Sequence, residues 1–308
     1  MCIIPLRILL KDNIMVVKTD SEIVSAVITT RNRLKYLKRA IDSVFSQTYS
    51  NIECIIVSDA STDGTDDYCK SRSDIRFISI PHKESRGGNY ARNLGIKASK
   101  GKYIAFLDDD DYWLPTKIEK QLALIEEKRC ECVYCLRLIE FVKNGIVSSK
   151  RIESKNYKLE GDLSHKIFRH WIASTSCLMV SKQLLDTIGG FDENLYKNQE
   201  YELMIRIAQL TPIYYYNSEP LVVYTSNKYD PFRIKNDPGR LFVAKKYIET
   251  KHRSLLKKSG IVNRFLYADW MVNALYPKAV KIKRYRYCII YGPYYLCSRL
   301  IHFIHSKL

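Results

Sequence analysis

Internal repeats and low-complexity tracts are both absent from this chain, which excludes a solenoid, a fibrous protein and a disordered linker. Regular cysteine spacing is absent too. Nine cysteines, an odd number at irregular intervals, exclude an extracellular disulfide framework and fit a reducing cytosol. Cys130, Cys132 and Cys135 form a C-x-C-x-x-C cluster, but no fourth Cys or His stands nearby, and Cys132 to Leu136 reads as a strand rather than a zinc site. Met1 to Leu10 is apolar but short, interrupted by Arg7, and lacks a basic leader and a small-residue cleavage site. No export signal is expected there, and Met15 competes with Met1 as the start. Acidic residues are few, 33 against 50 Lys and Arg, and the shortage is local. From Arg240 onward fifteen Lys and Arg face only Glu249 and Asp269, which leaves +13 there out of a net +17. The front of the chain is close to neutral.

What remains is ordinary globular material. At 308 residues, with 46% hydrophobic and 27% charged, the chain can bury one large core or two smaller ones. Residues 24 to 141 alternate short β-branched runs with helical patterns, the signature of a mostly parallel sheet covered by helices. The expected strands are Val24 to Thr30, Glu53 to Asp59, Arg76 to Ile80, Lys102 to Asp108 and Cys132 to Phe141. Leu34, Leu37, Ile41, Val44 and Phe45 recur at helical spacing and predict one apolar stripe. Lys143-Asn144-Gly145 reads as a tight turn, and a mixed region follows to about Tyr224.

The most informative segment is Asp108-Asp109-Asp110-Asp111, placed directly after the apolar run Tyr103 to Leu107. Two unit charges about 4 Å apart repel by roughly 1 kcal/mol in water and about 4 kcal/mol at an effective dielectric near 20, so such a cluster needs bulk solvent or a cation. In open parallel sheets ligands bind at the carboxyl ends of the strands, where this cluster sits. Oxygen-only ligands suit Mg or Mn rather than Zn or Cu. Thr30-Arg31-Asn32 and Asp59 to Gly64 follow other strands on the same side, and Ser85 to Asn93 is a glycine turn leading into a helix. Together these pieces ring one pocket. An aspartate there can accept from a base N–H, an arginine can answer a phosphate, and the acidic cluster can hold ribose hydroxyls and a metal.

Taken in order, VSAVITTRNR, SQTYSNIECIIVSDASTDGT, GGNYARNLGIKASKGKYIAFLDDDDYWLP, IGGFDENL and NQEYELMIRIA resemble the family 2 inverting glycosyltransferases with the GT-A fold, over about residues 23 to 210. The resemblance implies an α/β GT-A fold with a UDP-sugar donor and a Mg or Mn ion at its diphosphate. Position by position, it implies that Thr30 and Asp59 contact the uracil, that Arg92 lies near the nucleotide, that Asp108 faces the ribose with Asp109 sharing it, and that Asp110 holds the metal. Asp111 reads as a turn residue. Where the family shows Glu-Asp, an aromatic and another acid, this chain has Gln199-Glu200-Tyr201-Glu202, so Glu200 becomes the catalytic base, with a reach changed by one methylene. The usual Asp-Asp-Gly-Ser is Ser58-Asp59-Ala60-Ser61, and Arg31 replaces a common tyrosine. Trp171 and Ser174-Thr175-Ser176 fall on the acceptor side, where Trp171 can stack on a sugar or fill a core.

The implied organisation is an N-terminal extension at 1–22, a nucleotide-sugar half at 23–141, an acceptor half at 142–235, and a helical basic region at 236–308. Within the last, Lys278 to Arg286 is strongly basic and precedes the aromatic and apolar stretch Tyr287 to Ile304, broken at Gly292-Pro293. It is expected to lie against the inner face of the cytoplasmic membrane, where each basic residue contributes roughly 1 kcal/mol. The expected reaction moves a hexose (glucose, galactose or an N-acetyl derivative) onto a lipid-linked saccharide acceptor in bacterial surface polysaccharide assembly. A nucleotidyltransferase of similar fold would release pyrophosphate instead. A nucleic-acid partner, suggested by a pI near 9.4, is not expected, because the charge is confined to the tail and the pocket loop is acidic.

Overall fold

A computed structural model describes residues 22–143, 145–153, 159–227 and 238–261, with Asn263, Arg264 and Tyr267. The strands are β1 (Val24–Thr30), β2 (Ile52–Asp59), β3 (Arg76–Ile80), β4 (Tyr103–Asp108), β5 (Tyr112–Trp113), β6 (Cys132–Cys135), β7 (Arg137–Lys143), β8 (Ile146–Ile152), β9 (Met179–Ser181), β10 (Ile213–Tyr216) and β11 (Val222–Asn227). The helices are α1 (Leu34–Phe45), α2 (Thr65–Lys70), α3 (Gly88–Ala98), α4 (Lys117–Lys128), α5 (Lys182–Ile188), α6 (Gln199–Ala208), α7 (Pro238–Lys251) and α8 (Arg253–Lys258).

Among the described residues the strands form a seven-stranded sheet, β10-β6-β9-β4-β1-β2-β3, and a four-stranded one, β5-β11-β7-β8. In the large sheet only β9 runs antiparallel to its neighbours β4 and β6. Strands β1 and β4 are buried on both faces through their middles, as parallel strands covered by helices must be. Helix α3 lies close on β1 because position 95 is glycine: a Cβ there would stand 2.4 Å from Val27 Cγ1. That approach fixes the height of Arg92 above the sheet.

Two expectations need correction. The run Cys132 to Phe141 is two strands, not one: β6 joins the large sheet, β7 the small one, and the chain changes partners at Leu136. Both halves of the run read as strand and neither glycine nor proline marks the crossing, so the pattern does not show the change of partners. Phe45, counted in the apolar stripe of α1, is 45% exposed. At 100° per residue it lies about 90° round from the centre of the buried face defined by Leu37, Ala40, Ile41 and Val44. Its ring instead meets the Arg72 guanidinium 5.4 Å away. The division expected between residues 141 and 142 falls inside β7. The tight turn at Lys143-Asn144-Gly145 and the basic stretch from Lys278 lie wholly or partly outside the described residues.

Candidate active site

Strand register brings the first candidates together. Thr29 pairs with Asp108, Thr30 with Ser58, and Asp59 with Ile80, so Thr30, Asp59 and Asp108 stand at the carboxyl ends of three adjacent parallel strands about 4.8 Å apart. The loops beyond them are stitched to one another. Asn32 N–H donates to Ser61 Oγ (3.1 Å), Thr62 N–H to Asn32 Oδ1 (2.6 Å), and Leu34 N–H to Asp63 Oδ2 (3.0 Å), which caps the start of α1 with a side chain from another loop. Thr30 and Asp59 are both buried; the Thr30 hydroxyl faces the Asp109 carboxylate and helps lower its pKa, whereas Asp59 Oδ1 finds no hydrogen-bond partner among the described residues. Buried polar atoms are almost always paired, so the unpaired Asp59 oxygen marks a ligand's place.

Ala60 stands where the motif resemblance implies glycine, and its φ is +58°. A Cβ in that left-handed region costs roughly 1–2 kcal/mol. Ala60→Gly is therefore expected to stabilise the fold by about 0.5–1 kcal/mol in urea unfolding, after the extra chain entropy of glycine is set against the relieved strain. A loss of stability would show that the turn tolerates Ala60 without strain.

The acidic turn divides its four carboxylates between inside and outside. Asp108 Oδ1 accepts from Arg92 Nη2 at 2.6 Å, and its side chain is 32% exposed. Asp109 faces inward and accepts from Arg33 Nη1 at 3.0 Å; burial pushes its pKa up to about 7 against the pull of Arg33, with Asp110 adding to the rise. Asp110 shares the same Arg33 nitrogen at 2.8 Å but is partly open to solvent. Its pKa is raised by burial, lowered by Arg33 and raised again by Asp108. Asp111 closes the turn through its N–H to Asp108 O (3.0 Å), as a turn residue does, and it is also a buried brace. Its carboxylate accepts from Ser176 Oγ (2.6 Å) and the Thr225 N–H (3.1 Å), and burial raises it well above the usual range. Ser176, expected on the acceptor side, is thus fully buried under the turn, where it also accepts from the Asp108 N–H.

Arg92 is held from behind. Asn89 Oδ1 lies 3.3 Å from its Nη1, the Phe191 ring lies 5.5 Å from its guanidinium, and Asn89 Nδ2 donates to the carbonyls of Asp192 and Leu195. The G-G-F-D-E-N-L segment is therefore a clamp on α3, which explains its spacing better than direct chemistry does. Gly190 at φ +67° sits so near Asn93 that a Cβ would stand 2.4 Å from Asn93 Oδ1.

Glu200 lies in the first turn of α6, close enough to Asp108 and Arg92 that their charges raise and lower its pKa respectively. Burial is the larger effect and makes the net shift upward. Trp171 Nε1 donates to Glu200 Oε1 at 2.8 Å, and the Arg137 guanidinium stands 5.1 Å from the Trp171 ring. The indole thus serves the carboxylate, a use that neither sugar stacking nor core filling anticipated. Glu202, two residues on, turns the other way. It is fully buried and accepts from Arg206 (2.7 Å), Lys251 (2.8 Å) and His252 (3.0 Å), tying α6 to the end of α7. Asp192 reinforces the tie through Tyr247 (3.0 Å) and Lys251 (2.5 Å).

Residues 25–189 match the profile of glycosyl transferase family 2. The chain belongs to that family. Relatives include an uncharacterised glycosyltransferase of Rickettsia prowazekii, 34% identical over 198 residues, covering 63% of this chain and 61% of the relative. The Escherichia coli UDP-Glc:alpha-D-GlcNAc-diphosphoundecaprenol beta-1,3-glucosyltransferase WfaP is 42% identical over 130 residues, 42% of this chain and 52% of that one. This family 2 chain thus spans between about half and three fifths of the length of these curated relatives. Among solved structures, Staphylococcus aureus TarS 1-349 in complex with UDP superposes with a TM-score of 0.60 at 17% identity, covering 83% of this chain and 72% of that one. The fold is GT-A, as the motif order implied.

Proposed function

We propose that this family 2 protein is an inverting glycosyltransferase that moves a hexose from a UDP-sugar to a hydroxyl of a lipid-diphosphate-linked saccharide, with Glu200 as base. The observation that carries the reading is the convergence of Thr30 and the unpaired Asp59 Oδ1 with Asp108 and Arg92 at one end of the sheet, with Glu200 close enough to feel the charges of the last two. Thr30 and Asp59 would take the uracil edge, and Asp108, oriented by Arg92, the ribose. The relatives support the substrate class: WfaP by name uses UDP-Glc and a diphosphoundecaprenol-linked sugar, and TuaG of Bacillus subtilis, 37% identical over 110 residues, is named for teichuronic acid biosynthesis. TarS has been solved with UDP and with UDP-GlcNAc.

Asp110, with Asp108 beside it, fits a divalent cation. Both are partly exposed oxygen donors, and Mg is usually held by one or two carboxylates together with substrate phosphates rather than by an all-protein cage. Such an ion, when bound, would stabilise charge on the departing UDP. Asp110→Asn should lower metal-dependent turnover by about 10²-fold or more while leaving the melting temperature within a few degrees; an unchanged response to Mn or Mg would put the metal elsewhere. Trp171→Phe keeps a ring beside Arg137 but removes the N–H that favours ionised Glu200. The expected result is a fall of about tenfold in kcat, little change in donor KM, and an acid limb moved to higher pH.

A position at the inner membrane face is part of the proposal. It rests on the lipid-linked acceptor that the name of WfaP gives and on the basic region from Arg240; among the described residues no helix is long and apolar enough to cross a membrane. The deciding experiment is a screen of UDP-sugars for metal-dependent release of UDP, then transfer to lipid-diphosphate sugar mimics. Release of pyrophosphate in place of UDP would assign nucleotidyl transfer instead.

A further inference from the structure

Arg33 has no part in the reading above, yet it bridges two carboxylates of the acidic turn. One nitrogen, Nη1, stands 3.0 Å from Asp109 Oδ1 and 2.8 Å from Asp110 Oδ2, and the side chain is only 13% exposed. Arg39 backs it from α1: its Nη2 donates to the Asp110 carbonyl at 2.6 Å and to Thr225 Oγ1 at 2.9 Å, while its guanidinium lies 4.7 Å from the Tyr112 ring. The Asp110 carboxylate therefore already has a cation, held in place by the start of α1 and reached from the side that remains open to solvent.

We propose that Arg33 is a resident counter-ion that keeps Asp110 from accepting a divalent cation until a nucleoside diphosphate arrives, so that metal and nucleotide bind as one coupled event. The proposal rests on the reading that Asp110 holds the metal. A guanidinium and a divalent ion on the same carboxylate repel at short range in a half-buried site. The negative charge of a diphosphate offsets both cations at once, and an arginine fork suits phosphate oxygens as well as carboxylate ones. Because coupling between two ligands is reciprocal, whatever weakens the metal alone also makes each ligand improve the other.

The test is a titration of Mn²⁺ against the full chain, followed by the loss of the free-ion signal in electron paramagnetic resonance, with and without UDP. Wild-type protein is expected to bind Mn²⁺ weakly alone and far more tightly with UDP. Arg33→Gln should tighten UDP-free Mn²⁺ binding by about tenfold or more, and shrink the gain from UDP by the same factor, an effect within the usual range of coupling between sites. Arg33→Lys keeps the charge and should follow wild type. Equal UDP-free Mn²⁺ affinities in wild type and a folded Arg33→Gln variant would overturn the proposal. If that variant fails to fold, Arg33→Lys with UDP-free affinity already as high as its UDP-loaded affinity would overturn it as well. Wild-type protein that binds UDP but takes up Mn²⁺ in neither condition would remove Asp110 from the metal role and this coupling with it, while leaving the nucleotide reading intact.

Discussion

Glu200→Gln should lose about 10² to 10⁴-fold in kcat while UDP affinity stays within a few-fold, because a positioned base contributes that much and the amide keeps an oxygen for the Trp171 N–H. The substitution changes charge and little else in shape. A base must be ionised to act, and burial beside Asp108 holds Glu200 above the ordinary carboxylate range. Activity in kcat/KM should therefore be lost as pH falls through a value higher than that of a free glutamate. Isothermal titration with UDP and a pH profile of turnover check both parts. Near-normal rates in the variant, or an acid limb at the ordinary position, would remove Glu200 from the role.

The second large effect is on stability. Glu202 is buried, which alone would raise its pKa, but His252, Arg206 and Lys251 outweigh that and lower it to about 2. Its folded pKa lies below the unfolded value of about 4.3, so its stabilisation is fully present above that value and fades as pH falls towards 2. The difference corresponds to about 3 kcal/mol. Glu202→Gln should cost about that much at pH 7 by leaving three cationic or potentially cationic groups around an uncharged site. It should also flatten the stability profile between pH 4.5 and 2 in the range about the two pKa values. Urea unfolding at several pH values would measure both, and a parallel profile for wild type and variant would contradict the assignment. Since Glu202 and Glu200 share the first turn of α6, turnover should soften along with stability.

The sheet that gathers these strand ends was largely legible in the sequence. Strand ends at Thr30, Asp59 and Asp108 follow from β-branched runs that stop at polar residues, and a parallel sheet sends them all to one side. Glu200 could be placed opposite them only through the motif resemblance. What escaped the sequence were long-range partners. Arg33 meets the acidic turn 76 and 77 positions away, and Ser176 meets Asp111 65 positions away. No periodicity links such pairs; only an arginine within a fixed motif and a serine read as acceptor-facing stood as signals. Trp171 was singled out, but its partner was not, because an indole offers a face and an N–H and nothing local says which one is used. The change of sheet at Leu136 was hidden because strand-forming residues stand on both sides and no glycine or proline marks the crossing.

That change of sheet has a mechanical consequence. Leu136 donates its N–H to Tyr216 O and accepts from the Leu221 N–H, both at 2.9 Å, so the outgoing and returning crossings between the two sheets are laced to each other. The seam behaves as a weld rather than a hinge. On the proposed reading, a jaw-like closure of one sheet over a bound donor would have to break both of these bonds, which sets a cost on any such motion.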